Sequence, residues 1–74
     1  MNISELKKRA REYELRGDYK KALETYETIL KHEHDDPETL FRIGQILIRF
    51  KQEKKAGEFL LKSFEIFEKQ GIYD

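Results

Sequence analysis

The chain has no cysteine, a single proline and no net charge. Without cysteine there is neither a disulfide framework nor a thiolate zinc site. Lys+Arg and Asp+Glu stand at 15 each, so the general electrostatic attraction to nucleic acid is missing. No apolar run approaches the ~18 residues of a membrane span, so no membrane partner is expected. The four glycines are isolated, which excludes a phosphate-cradling loop. The start, Met1-Asn2-Ile3-Ser4-Glu5, lacks the apolar core of a secretory leader, and the expectation is a cytoplasmic protein. Seventy-four residues allow one small domain, 1–74, and exclude a multi-domain enzyme. Charged residues (41%) outnumber hydrophobic ones (38%), so stability is marginal unless a neighbour supplies further burial.

What is present reads as helix. The segments are rich in Glu, Lys, Leu and Ala, and none shows sustained alternation. Gly17-Asp18, the stretch His32 to Pro37, and Lys51-Gln52 punctuate the chain into four helices. The first runs from about Ser4, as its cap, to Arg16, with Leu6, Ala10 and Tyr13 on one face and Gly17 suited to a left-handed end. The second follows Asp18 and carries Tyr19, Ala22, Leu23, Tyr26, Ile29 and Leu30. Asp36 caps the third and Pro37 occupies its first turn. The fourth starts near Glu53. Helices of this length with short turns form antiparallel hairpins.

The chain repeats itself. Lys20, Lys21, Ala22 and Glu24 recur 34 positions on as Lys54, Lys55, Ala56 and Glu58. At the same offset Leu6 maps onto Leu40, Ala10 onto Gly44, Tyr13 onto Leu47, Tyr26 onto Leu60 and Leu30 onto Phe64. Small residues recur where helices must approach, and large ones where they fill the gap. With Ala10, Tyr13, Gly17-Asp18-Tyr19, Ala22, Tyr26 and the closing Pro37, the sequence resembles the tetratricopeptide repeat. The repeats cover about 3–36 and about 37–70. The second copy has Lys51-Gln52-Glu53 where Gly-Asp-Tyr belongs, a degenerate turn. The resemblance implies an all-α fold of two helix-turn-helix hairpins stacked in a right-handed superhelix.

It also implies a non-catalytic interaction or scaffold module. Its concave groove would hold a peptide or partner helix along Lys7, Arg11 and Glu14 of the first copy and Phe41, Gln45, Ile48 and Arg49 of the second. Cations beside an apolar patch call for a partner with acidic and hydrophobic side chains. Some relatives clamp a terminal carboxylate with a lysine and asparagines. Lys7 matches that lysine, but Arg11 and Arg42 stand where the asparagines would be.

The two copies differ in polarity. Lys7, Arg9, Glu12, Glu14, Arg16, Glu27, His32 and Glu33 become Phe41, Ile43, Ile46, Ile48, Phe50, Leu61, Ile66 and Phe67. The apolar arc widens from about 80° in the first helix to roughly 160° or more in the fourth. An arc that wide needs neighbours on two sides. The fourth helix is therefore expected to bury Phe59, Leu60, Leu61, Phe64, Ile66 and Phe67 against a second copy or against further repeats. Gly71-Ile72-Tyr73-Asp74 reads as the start of another glycine–aromatic turn, which suits the amino-terminal part of a longer repeat protein.

No catalytic residues, cofactor or metal are expected. Carboxylates abound but face no evident pocket. Ser4 reads as a cap and Ser63 as a small packing residue. His32 and His34 are two residues apart, so on a helix they diverge, and a capping turn explains the acidic residues beside them. The basic run Lys7, Lys8, Arg9 and Arg11 is interleaved with glutamates and reads as a solvated face.

Overall fold

The computed structural model describes residues 2–71. Ile72, Tyr73 and Asp74 of the expected further glycine–aromatic turn lie outside the described residues. Among the described residues four helices follow in order: α1 (Ile3–Leu15), α2 (Tyr19–His32), α3 (Pro37–Arg49) and α4 (Glu53–Lys69). The described residues contain no strand. α1 packs on α2 and α3 on α4, giving two helical hairpins; a first compact unit ends at His34 and a second begins at Asp35.

The first helix starts earlier than expected. Asn2, not Ser4, is the cap: its Oδ1 accepts hydrogen bonds from the Ser4 and Glu5 amides at 2.9 and 3.4 Å. Asparagine and serine are equally competent caps. The extended backbone at Asn2, and the bond from the Leu6 amide to its carbonyl, carry the ladder back to include Ile3. Asp18 caps α2 as expected, accepting from the Lys21 amide. Asp36 occupies the cap position of α3 with Pro37 behind it, but its carboxylate accepts from the Thr39 hydroxyl instead of a backbone amide.

The turns show the repeat most directly. After α1 the amides of Gly17 and Asp18 reach back to the carbonyls of Glu14 and Tyr13, each at 2.9 Å. After α3 the amides of Lys51 and Gln52 reach back to Ile48 and Leu47, each again at 2.9 Å. Every partner lies 34 positions from its counterpart. The turn that is degenerate in sequence is therefore intact in backbone geometry. Its cost falls on Lys51, held at φ +61° where the first turn has Gly17 at φ +79°. A non-glycine side chain there meets the following carbonyl, at about 1–2 kcal/mol, partly offset because glycine is freer when unfolded. Lys51→Gly is expected to stabilise the chain by about 0.5–1 kcal/mol, read as a higher urea midpoint at unchanged slope.

In the first unit the buried apolar residues are Leu6, Ala10, Ala22, Tyr26 and Ile29. In the second they are Leu40, Ile43, Ile46, Leu47 and Ala56, with Gly44 also buried. The small positions act as the repeat pattern expects. A Cβ placed on Gly44 would stand 2.7 Å from both Cγ and Cδ2 of Leu60 and 3.3 Å from the Ala56 carbonyl oxygen, so α3 and α4 touch there through glycine. Ser63, fully buried, does more than pack. Its hydroxyl donates to the Pro37 carbonyl at 2.9 Å and ties the middle of α4 to the first residue of α3.

Candidate functional site

α1 presents Lys7 and Arg11 outward, but both are engaged within their own hairpin. Lys7 Nζ lies 3.2 Å from a carboxylate oxygen of Glu33, which follows the end of α2. Arg11 lies 3.6 Å from Glu14, one turn along. Glu14 also accepts the Tyr26 hydroxyl at 2.5 Å, and its side chain is only 12% exposed. Tyr26 is itself buried, so this charge-assisted bond satisfies a phenol that would otherwise be desolvated alone. Glu14 therefore serves first as a strut between α1 and α2. The Glu14–Tyr26 and Lys7–Glu33 links join residues 12 and 26 positions apart, and spacing along one helix carries no signal of them.

α3 is different. Phe41, Gln45 and Ile48 share one side of the helix by their four- and three-residue spacing. Gln45 and Arg49 are exposed, Ile48 is 48% exposed and Phe41 is half-buried. Phe50, just past the helix end, is 42% exposed. The Phe41 ring lies 6.4 Å from the Phe64 ring of α4, tilted by 48°, within the range of favourable aromatic pairs. Two residues assigned to separate surfaces on sequence grounds thus meet at one edge of the second hairpin.

α4 is the longest helix, yet its only buried residues are Ala56 and Ser63. Phe59, Leu60, Ile66 and Phe67 are half-buried, while Leu61 is 61% and Phe64 48% exposed. None of the six large apolar side chains expected to form an association face is enclosed. Gly57 lies on the same side as Leu61 and Phe64. A Cβ there would meet nothing within 4 Å among the described residues. Comparison of the copies supplies the signal for this glycine, because its counterpart 34 positions earlier is Leu23.

The arrangement offers surfaces for contact and little for chemistry. A shallow, open depression at the start of α4 is lined by Lys51, Gln52, Glu53, Lys54, Lys55 and Glu58, with no large apolar side chain to hold a ligand. Among the described residues no group of three His, Asp or Glu side chains is placed to hold a metal ion, and His32 and His34 are both exposed. No described helix is long and apolar enough to cross a membrane.

Comparison with known proteins gives two matches. Residues 3–46 match one family model and residues 37–70 a second, and both models are described as Tetratricopeptide repeat. No curated protein and no solved structure matches the chain.

Proposed function

The chain belongs to the tetratricopeptide-repeat family, a helical-repeat family of protein–protein interaction and scaffold modules that is generally non-catalytic, and from that premise we propose that it binds a protein segment along the outward row of α3. The residues are Phe41, Gln45, Ile48 and Arg49. The observation that carries this reading is Ile48, left half exposed on a helix whose other isoleucines, Ile43 and Ile46, are each 1% exposed. An apolar side chain held out between Gln45 and Arg49 suits a partner with a hydrophobic residue flanked by acidic ones. Of the α1 residues expected along a groove, Lys7, Arg11 and Glu14, the last is the least accessible. The protein acts by presenting a pre-formed surface, with no cofactor and no reaction of its own.

The test is selection from a random displayed-peptide library. Enriched peptides are expected to combine acidic and large apolar residues, and to lose about tenfold or more in affinity on Ile48→Asp or Arg49→Glu. Enrichment of basic peptides, or binding indifferent to both changes, contradicts the reading.

A second reading, self-assembly through α4, is favoured by the exposure of Leu61 and Phe64. Contiguous large apolar side chains left open in a small domain mark an association surface.

A further inference from the structure

The exposed side of α4 has a pattern that complements itself. Lys54, Leu61 and Glu68 follow at seven-residue steps, so they lie along one line of the helix. Gly57 and Phe64, also seven apart, lie beside that line, four residues before and three after Leu61. All five fall within α4, and all are exposed. Together they make a two-heptad seam with an apolar centre and one charge of each sign at its ends.

Resting on the self-assembly reading, we propose that α4 pairs antiparallel with α4 of a second copy about a two-fold axis at Leu61. That axis brings Leu61 against its own counterpart. Lys54 and Glu68 each stand seven residues from it, so Lys54 of each chain faces Glu68 of the other, twice over. Phe64 of each chain, three residues from the axis, comes within one residue's rise of Gly57 of the other, four residues from it, where the absent side chain leaves room for a ring. A parallel pair sets lysine against lysine, glutamate against glutamate and phenylalanine against phenylalanine, so the charges select the antiparallel arrangement. Such isologous matching is meaningful only between identical chains, which is why the occupant is a second copy and not a foreign partner. The pairing also accounts for Gly57. Glycine in mid-helix is unfavourable, and among the described residues nothing stands within 4 Å of a Cβ placed there.

Sedimentation equilibrium of the full chain and its charge variants tests the register. The unchanged chain is expected to form a dimer. Lys54→Glu alone and Glu68→Lys alone each replace two attractions by two repulsions and are expected to weaken it by about tenfold at low salt, less at high salt. Mixing the two variants, or combining both changes in one chain, restores it. Gly57→Ala separates association from folding: it raises the thermal midpoint of the monomer while weakening the dimer. A chain that stays monomeric at every concentration overturns this pairing and the self-assembly reading together. A dimer indifferent to the charge reversals and to Gly57→Ala overturns the pairing alone and leaves self-assembly standing.

Discussion

Gly44→Leu is expected to destabilise the chain by about 2–3 kcal/mol and to bring the second hairpin close to unfolding. The new side chain has nowhere to go. Its Cβ alone would overlap Leu60 at 2.7 Å, and the Ala56 carbonyl closes the other side at 3.3 Å. Leu60 can turn outward because it is only half-buried, but the α4 backbone at Ala56 moves only if the hairpin opens. Overpacking costs about 1–3 kcal/mol and occasionally more; crowding against backbone as well as a side chain puts this site at the upper end, about 3–4 kcal/mol, of which roughly 1 kcal/mol is returned by removing glycine from a helix. A chain of this size has on the order of 4–11 kcal/mol in total, so the loss is a large fraction of it. The control is Gly57→Ala in the same hairpin, where the site is open and only the helix-propensity gain of up to about 1 kcal/mol applies. Urea unfolding followed by circular dichroism reads both. Equal responses at the two glycines would contradict the close approach of α3 and α4 at Gly44.

The second large effect comes from deleting the same atoms at two leucines. Leu47 is 2% exposed and lies on the side of α3 that also carries Leu40 and Gly44. Leu47→Ala is expected to cost about 2–5 kcal/mol through lost transfer energy and the cavity left behind. Leu61 is 61% exposed, and Leu61→Ala is expected to change folding stability by under about 0.5 kcal/mol. On self-association the order reverses. Leu61→Ala weakens it markedly, while any Leu47→Ala protein that remains folded associates as before. Unfolding midpoints and sedimentation on the same pair of variants give the two readouts. The crossing of the two orders distinguishes a core side chain from a contact side chain more sharply than exposure alone.

Much of the helical layout was legible because its signals are local. Gly17 with Asp18, Pro37, and the small residues Ala10, Gly44, Ala22 and Ala56 each impose a backbone requirement that few other residues meet. The period of 34 then places the second hairpin even where its turn has lost glycine. Lys51 shows the limit. Its identity argues against a left-handed residue, yet the hydrogen bonds from the Lys51 and Gln52 amides hold it there. The polar pairings were not legible. Glu14 appears in sequence as an outward residue of α1, and only the packing of α2 brings the Tyr26 hydroxyl to it. Ser63 reads as a small residue, and only the fold brings it under the Pro37 carbonyl. The cap is Asn2 and not Ser4, and sequence does not separate them because two equally good capping residues stand two positions apart and local preference does not rank them.

The most direct measurement of the central claim, that the second hairpin carries apolar surface left open among the described residues, is a dilution series followed by residue-resolved NMR. Concentration-dependent shifts are expected at Leu61, Phe64 and the neighbouring Phe41, with Leu6 and Ile29 of the first unit unchanged. Spectra that do not move with concentration, or movement centred on α1 and α2, would contradict it.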